Sequence, residues 1–180
     1  MRDILLDRDG VILEEGGERV LSKEQMRFIP GAADAVARLS RAGHRVFVVT
    51  NQSVVGRGLI SAEQLAGIHR AMQVEVAARG GVIDGFFACT HAPDAGCACR
   101  KPLPGLLLQA RDHARVRLHE ALFIGDRISD AEAAWAAGAR FMLVLSGHET
   151  SAPLSPRGPM GVARDLQDAA RQILHGALAT

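Results

Sequence analysis

The sequence predicts an α/β fold, a three-layer, Rossmann-like parallel sheet with helices on both faces. Short apolar runs of strand length alternate with longer segments in which apolar residues recur every three or four positions, as in βαβ units. Several apolar runs end abruptly in acidic or polar residues, which a parallel sheet would bring to one edge. The 180 residues are 48% hydrophobic, enough for one domain with a substantial core. We therefore expect a single domain over residues 1–180.

Five strands are predicted from the apolar runs. Each run is rich in leucine, β-branched or aromatic residues and is bounded by polar or glycine-containing segments. Asp7 follows the first strand, Thr50 ends the second, and Asp126 follows the fourth. The predicted ranges are 4–6, 45–50, 84–88, 121–125 and, as the last strand, 141–145.

The segments between the strands have helical periodicity and recognisable ends. Ser61 with Gln64, and Ser129 with Glu132, resemble capping boxes, and Asp165 is placed to cap the final helix. The helices are expected at about 31–43, 61–80, 104–114, 129–138 and 165–174. Loops are predicted for 14–23, for the segment that contains Gly56 and Gly58, and for 150–161.

Composition and charge exclude several classes of partner. A net charge of +1 gives no electrostatic basis for binding nucleic acid, and a chain with no Tyr and one Trp lacks an aromatic platform for bases. No apolar run approaches the roughly 20 residues of a membrane span. Acidic residues at positions 3, 7 and 9 interrupt any signal-peptide core. We expect a cytoplasmic protein, a monomer, with no nucleic-acid or membrane partner.

The stretch Asp7-Arg8-Asp9-Gly10 follows the first predicted strand and concentrates charge there. In an extended chain, residues i and i+2 point to the same side, so Asp7 and Asp9 would stand next to each other. At about 5 Å and an effective dielectric constant near 20, two carboxylates repel by roughly 3 kcal/mol. A bound cation or a shared proton would remove this repulsion. An acidic turn without a function is the alternative interpretation.

Three carboxylates are predicted at the same edge of the sheet, namely those of Asp7, Asp9 and Asp126. Oxygen ligands of this kind suit Mg²⁺, which keeps several waters and substrate oxygens in its shell. Asp130 follows within the first turn of the next helix. There it either takes part in the site or only complements the helix dipole.

All three cysteines lie within eleven residues and form, with one histidine, the pattern Cys-x-His-x5-Cys-x-Cys. The members are Cys89, His91, Cys97 and Cys99. Three thiolates and one imidazole make a closed tetrahedral zinc site, which is structural rather than catalytic. Free cysteines beside an unrelated histidine are the alternative. We predict Zn²⁺ in the loop 89–99, where it would order the segment and fix the adjacent Arg100 and Lys101.

Arg100 and Lys101 are adjacent cations that such a loop would hold near the acidic edge. Together with Mg²⁺, Thr50 and Lys101 could then surround a phosphoryl dianion. Phosphoryl transfer needs mainly positioning and charge stabilisation. The set therefore favours an enzyme that acts on a small phosphorylated molecule, with a solvated basic pair as the alternative.

In combination, these motifs resemble the haloacid dehalogenase superfamily of aspartyl-phosphate phosphatases. The motifs occur in order as Asp7-Arg8-Asp9-Gly10, Thr50-Asn51, Lys101, and Gly125-Asp126 with Asp130. The zinc loop narrows the resemblance to the branch that hydrolyses the C7 phosphate of D-glycero-D-manno-heptose 1,7-bisphosphate, in lipopolysaccharide or nucleotide-activated heptose precursor synthesis. The resemblance covers about residues 3 to 145.

The resemblance implies a role for each of these residues. Asp7 would be the nucleophile and Asp9 the general acid and base. Asp7, the Asp9 backbone carbonyl and Asp126 would hold Mg²⁺, and Asp130 would orient Lys101 or a metal-bound water. The catalytic set would be Asp7, Asp9, Thr50 and Lys101. The expected substrate-binding residues are Asn51, Gln52, Ser53, Arg57, Arg100, Arg127 and Asp130.

Two features point to a different substrate, histidinol phosphate, whose phosphatases form a related branch with the same zinc loop. The His-x5-Cys spacing is seen in that branch, and the loop 15–18 lacks the aromatic residue often found in heptose enzymes. Gln52-Ser53 and Gly56-Arg57-Gly58 favour the heptose branch. No separate cap domain fits between the motifs. A zinc-stabilised binding module without turnover is the alternative from another class, and the presence of Asp7 and Lys101 disfavours it.

Overall fold

A six-stranded parallel sheet forms the centre of the fold. The computed structural model describes residues 2–16, 19–149 and 158–176. The strands are β1 (Asp3–Leu6), β2 (Arg45–Asn51), β3 (Gly85–Cys89), β4 (Leu122–Gly125), β5 (Arg140–Val144) and β6 (Gly161–Ala163). They lie in the order β3-β2-β1-β4-β5-β6, so the order reverses between β1 and β4. Ligands of such sheets bind at this reversal, beyond the carboxyl ends of the strands.

Helices cover both faces of the sheet, as the predicted three-layer fold requires. They are α1 (Ala32–Arg41), α2 (Ser53–Gly56), α3 (Ala62–Ala77), α4 (Gly105–Ala114), α5 (Ile128–Ala136) and α6 (Leu166–Leu174). Alternate strand residues point to opposite faces. Accordingly, Ile4 and Leu6 of β1 belong to the core with α1, α3 and α6, whereas Leu5 belongs to the core with α4 and α5. The predicted fold class is confirmed.

Several local predictions are confirmed. The five predicted strands are present within one or two residues of their expected ends. Ser61 and Gln64 form the predicted capping box, in which the Ser61 Oγ accepts a hydrogen bond from the Gln64 amide at 3.2 Å. Asp165 caps α6 by accepting a hydrogen bond from the Asp168 amide at 2.7 Å.

Other local predictions are wrong. The last strand is β6, not the one at 141–145, and a short helix, α2, replaces part of the loop expected around Gly56. A 3₁₀ turn (Lys23–Gln25) ends the predicted loop 14–23. Ser129 and Glu132 do not form a capping box, because α5 begins at Ile128 and Asp130 occupies the position that pairs with the cap. Most of the predicted loop 150–161 lies outside the described residues.

The amino end of the sheet is held by an ion pair between the buried Asp3 and the partly exposed Arg45. The Asp3 carboxylate accepts two hydrogen bonds from the Arg45 guanidinium, both at 2.8 Å, and a third from the Arg117 amide at 3.0 Å. These contacts join β1, β2 and the segment before β4.

In the described ranges, no helix combines the length and the apolar character needed to cross a membrane.

Candidate active site

A cavity of about 470 Å³ opens at the carboxyl ends of β1 and β2. Ten of the predicted site residues line it: Asp7, Asp9, Thr50, Asn51, Gln52, Ser53, Arg100, Lys101, Arg127 and Asp130. Asp126 lies beneath the cavity and is fully buried. The volume is within the usual range of small-molecule sites, about 300–1,000 Å³. The topology thus brings together residues from four separate segments of the chain.

Lys101 is the central cation of the site. Its ammonium group lies 2.9 Å from Asp7 Oδ1 and 2.7 Å from Asp130 Oδ1, and it donates a hydrogen bond to the Val49 carbonyl at 3.0 Å. The side chain is 2% exposed. Asp7, Asp126 and Asp130 also approach one another closely enough for one oxygen of each to share a metal ion. Asp130 therefore orients Lys101 and belongs to the acidic cluster.

The charges of this cluster do not balance within the protein. Three buried carboxylates face one buried ammonium group, so two negative charges would be left over with every group ionised. Burial raises the pKa of Asp7 to about 8; Lys101 opposes this shift, and Asp130 and Asp126 reinforce it. Burial likewise raises the pKa of Asp126 to about 6. A divalent cation matches the missing charge, and the all-oxygen donor set is the one that Mg²⁺ prefers.

Two further observations on Asp126 fit a metal site. Its Oδ1 is buried and has no hydrogen-bond partner among the described residues, whereas Oδ2 accepts a hydrogen bond from the His148 amide at 2.8 Å. Gly10 and Gly147 pack against the same carboxylate. A Cβ atom at either position would lie 2.6 Å from Asp126 Cγ, well inside contact distance. Only glycine leaves room for the carboxylate, and Gly10 also needs its positive φ of 81°.

The Asp9 carboxylate is not part of the cluster of Asp7, Asp126 and Asp130, so the side-by-side pair predicted from an extended chain is not found. The chain bends at Arg8, and the Asp7 carboxylate accepts a hydrogen bond from the Arg8 backbone amide at 2.7 Å. The Asp9 carboxylate is bound by the Arg8 guanidinium and by the Gln52 amide. Its side chain is 28% exposed, in contrast to the buried Asp7. One acid is thus shielded beside the lysine, and the other reaches the open cavity.

Asn51 connects the end of β2 to the lysine segment. Its side-chain amide donates to the Lys101 carbonyl at 3.0 Å, and its oxygen accepts the Lys101 amide at 3.1 Å. This pair of bonds fixes the backbone of Lys101 from one side. We predicted Asn51 as a substrate-binding residue. Asn51 does line the cavity, and its observed contacts hold the backbone of Lys101.

The zinc-loop residues converge as predicted. Cys89 Sγ lies 3.6 Å from Cys97 Sγ and from His91 Nδ1, and Cys99 Sγ lies 3.3 Å from the same nitrogen. A tetrahedral Zn²⁺ with Zn–S bonds of about 2.3 Å places ligand atoms roughly 3.5–3.8 Å apart. All three cysteines are free. The cluster therefore fits zinc in chemistry and in spacing, and it lies two residues before Lys101.

The arginines of the site differ in how they are paired. Arg100 lines the cavity, and its Nη1 is buried without a hydrogen-bond partner in the described part of the chain. Arg127 is bound to Glu15 and lies 3.9 Å from Asp126. Arg57 is exposed, follows the end of α2 and is not among the cavity-lining residues. The structure thus does not bring Arg57 to the site.

Some cavity residues were not predicted. Arg19 lines the wall and donates from Nη1 to Ser53 Oγ at 3.3 Å. Glu14 and Glu15 come from the same segment after β1. This segment has no helical or strand periodicity, so no sequence signal shows where its side chains point. Arg8 was quoted only as part of the acidic motif, although its position between two acids was a usable signal.

Known proteins match both halves of the chain. A haloacid dehalogenase-like hydrolase model matches residues 4–91, and a second HAD-hydrolase-like model matches residues 98–169. A D-glycero-β-D-manno-heptose-1,7-bisphosphate 7-phosphatase of Pseudomonas putida is 42% identical over 82% of this chain and 84% of its own length. The enzyme of the same name from Bordetella bronchiseptica is 39% identical over 98% of this chain and all of its own.

A solved structure agrees with these matches. The crystal structure of D,D-heptose 1,7-bisphosphate phosphatase from B. bronchiseptica, complexed with magnesium and phosphate, superposes with a TM-score of 0.92 at 38% identity. The superposition covers 98% of this chain and 99% of that one. The resemblance deduced from the motifs is confirmed. The chain belongs to the haloacid dehalogenase-like hydrolase family.

Proposed function

We propose that the protein is a Mg²⁺-dependent phosphatase that removes the C7 phosphate of D-glycero-β-D-manno-heptose 1,7-bisphosphate. The observation that carries the proposal is the buried set of Asp7, Lys101, Asp126 and Asp130 at the floor of the cavity. Such a set suits phosphoryl transfer and has no simple structural purpose. Relatives that span nearly the whole chain carry this enzyme name. The product, a heptose 1-phosphate, would feed lipopolysaccharide or nucleotide-activated heptose precursor synthesis.

The proposed reaction has two halves. First, Asp7 forms a bond to phosphorus as the bond to the sugar oxygen breaks, and the Asp9 carboxyl group gives its proton to that oxygen. Then water forms a bond to phosphorus while the Asp7–phosphorus bond breaks, and the Asp9 carboxylate takes the proton from water. The exposure of Asp9 supports this role, since Asp9 must meet both the sugar and the solvent.

Asp7, Asp126 and the Asp9 backbone carbonyl would hold Mg²⁺. When bound, the ion neutralises charge so that a carboxylate and a phosphate dianion come together. Lys101 and Thr50 bind the phosphoryl oxygens in this proposal, and Asp130 keeps Lys101 in place. The zinc cluster and Asn51 hold the lysine segment. In this proposal, Lys101 supplies the positive charge that Mg²⁺ does not, and its position is fixed by several contacts.

The preference for a bisphosphate is proposed from the remaining cations. Lys101 is committed to the transferring group, and Arg127 is paired with Glu15. Arg100 and Arg19 remain on the cavity wall without a carboxylate partner in the described residues. Arginine is suited to forked contacts with phosphate oxygens. These two side chains are our candidates for the phosphate at C1, and they replace Arg57 in this role.

Histidinol phosphate stays the second candidate because of one observation. Glu14 lines the cavity and has no cation bound to it among the described residues, so it offers a partner for the ammonium group of that substrate. Arg19 and Arg100, which have no carboxylate partner among the described residues, would repel the same ammonium group. A like-charge contact in a poorly solvated interface costs several kcal/mol. We therefore rank the heptose substrate first.

A comparison of substrates tests the proposal. Phosphate release is measured with Mg²⁺ on both anomers of the heptose bisphosphate, on its 7-monophosphate and on histidinol phosphate. We expect the highest kcat/KM for the β-bisphosphate and no turnover by Asp7→Asn, whose fold is checked by circular dichroism. A higher kcat/KM for histidinol phosphate would move the assignment to the second candidate. Turnover by folded Asp7→Asn, with deamidation excluded by mass spectrometry, would remove the covalent route.

Our proposal includes the organisation of the molecule. A single domain over residues 1–180 would act as a monomer on a small molecule, without a cap. In the described ranges, the segments between the strands contain loops and helices of at most 16 residues, which supports a site open to small substrates. Light scattering at several protein concentrations tests the monomer.

A further inference from the structure

Arg8 is a buried arginine of the cavity wall that the proposed mechanism leaves without a role. Its side chain is only 2% exposed. Nε donates to Asp9 Oδ1 and Nη2 donates to Asp9 Oδ2, both at 3.0 Å. This is the two-bond fork by which arginine holds a carboxylate in a fixed plane. The pair is formed between neighbouring residues because the chain bends at Arg8.

A second contact holds the same carboxylate from another element. The Gln52 side-chain nitrogen donates to Asp9 Oδ2 at 2.8 Å and to Thr50 Oγ1 at 2.8 Å, and Gln52 is 3% exposed. Asp9 is thus held by a fork on one side and an amide on the other. An unrestrained aspartate samples several rotamers. These contacts select one of them, although the side chain is partly exposed.

The backbone of Arg8 is itself fixed. Its backbone carbonyl accepts hydrogen bonds from the amides of Ile12 at 2.8 Å and Leu13 at 2.9 Å. Its own amide donates a hydrogen bond to the Asp7 carboxylate. The nearby His69, whose charge state Arg8 affects, is stacked on Phe86 with ring centroids 4.4 Å apart. Burial, and then the Arg8 charge, lower the pKa of His69 to about 4. The imidazole is therefore neutral at physiological pH and does not compete for Asp9.

We infer that Arg8 is a positioning residue, which fixes the Asp9 carboxyl group in the orientation from which it exchanges protons with the leaving oxygen and with water. The inference rests on the proposed function, because it requires Asp9 to be the acid and the base. In this inference Arg8 acts through Asp9 and not by contact with the phosphorus. Its effect should appear only in steps that need a proton transfer.

Arg8→Lys tests this, because it keeps the charge and removes the fork. General acid–base catalysis contributes roughly 10²–10⁴-fold, so a misplaced Asp9 should cost about 10–100-fold in kcat on the heptose bisphosphate. KM should change less than about threefold, since binding residues are untouched. With p-nitrophenyl phosphate, the leaving group departs without a proton. There we expect a burst of one nitrophenolate per site at nearly the wild-type rate, followed by a linear phase about 10–100-fold slower.

Two reference variants separate the possible outcomes. Asp9→Asn should give the same burst and a slow linear phase; if it does not, the proposed role of Asp9 fails, and this inference with it. Arg45→Lys is the matched control, because Arg45 holds Asp3 by the same fork at the opposite end of the sheet. It should lower the Tm without separating the two phases.

A burst in Asp9→Asn together with equal slowing of both phases in Arg8→Lys would overturn the inference while leaving the proposed function intact. Adding Arg8→Lys to Asp9→Asn should cost no further activity, because Arg8 acts through Asp9. A further loss of tenfold or more in the double variant would also contradict it. Should Arg8→Lys not fold, Arg8→Gln takes its place. The same burst is expected, and equal slowing of both phases would again contradict the inference.

Discussion

The close approach of Gly147 to Asp126 allows the metal site to be tested without changing a ligand. A Cβ at position 147 would lie 2.6 Å from Asp126 Cγ and 2.7 Å from Asp126 Cβ. Since carbon atoms in ordinary contact are at least 3.4 Å apart, Gly147→Ala must displace the side chain by about 1 Å. The backbone at 147 has no positive φ, so the alanine introduces no left-handed strain.

A displacement of this size is large on the scale of Mg²⁺ coordination. The ion demands oxygen distances near 2.0–2.1 Å in almost ideal octahedral geometry. Disturbing the support of a metal ligand typically weakens metal affinity about 10–100-fold. We expect the Mg²⁺ concentration for half-maximal phosphate release to rise by that factor in Gly147→Ala. At saturating Mg²⁺ kcat should recover to within about threefold of the wild type.

The assay is a Mg²⁺ titration of phosphate release, supported by calorimetric titration of the ion in the absence of substrate. Gly67→Ala is the control, because its new Cβ would meet only Arg70 Nη2 at 3.8 Å. It lies within α3, where alanine is favoured over glycine by about 1 kcal/mol. A folded Gly147→Ala protein with wild-type Mg²⁺ dependence would refute Asp126 as a ligand held in place by this contact.

Three further results are expected. Protein purified without added metal should contain about one zinc per chain, and Cys97→Ser should lose zinc together with activity as the lysine segment loosens; zinc-free wild-type protein would contradict this. In zinc-loaded protein without Mg²⁺ or a chelator, the Tm should fall as pH rises from about 4 to 8. The raised folded-state pKa values of Asp7 (about 8) and Asp126 (about 6) give stability that is present at low pH and lost through this window. Saturating Mg²⁺ should remove most of the fall, and Asp7→Asn should reduce it. Asn51→Ala should lower kcat/KM about tenfold, because Lys101 loses two backbone restraints of roughly 1 kcal/mol each, and an unchanged kcat/KM would show that the remaining contacts suffice.

The features that the sequence predicts well are those set by short-range patterns. The runs that became β1 to β5 are apolar and sharply bounded, so strand identity needed no knowledge of the partners. The zinc residues could be found because every cysteine of the chain falls in one short pattern. The metal site followed from topology, since acids after β1 and β4 meet wherever the strands are parallel neighbours.

The features that were missed depend on three-dimensional packing. β6 has only three residues, with no alternation, and is a strand only because β5 lies beside it. The Ser129 capping box was wrong because Asp130 is drawn to Lys101 and to the Arg127 amide, a contact that no local rule contains. Arg57 was predicted from its motif position alone, and Arg19 was not predicted at all. Only the path of the chain through α2 shows which of them reaches the cavity.

The excess of buried acid at the carboxyl edge also bears on how this protein can change over time. Asp126 is wholly buried and its pKa is raised. Its closest cation in the described part of the chain is Arg127, which lies 3.9 Å away and is paired with Glu15. In the metal-free molecule such a carboxylate opposes folding, and the neutral amide of asparagine would oppose it less, because burying a charge costs more than burying a neutral polar group. Random mutation and selection for thermal stability alone would therefore remove the acids that selection for turnover retains. A thermostable descendant with asparagine at position 126 would keep the fold but lack a ligand of the proposed Mg²⁺ site.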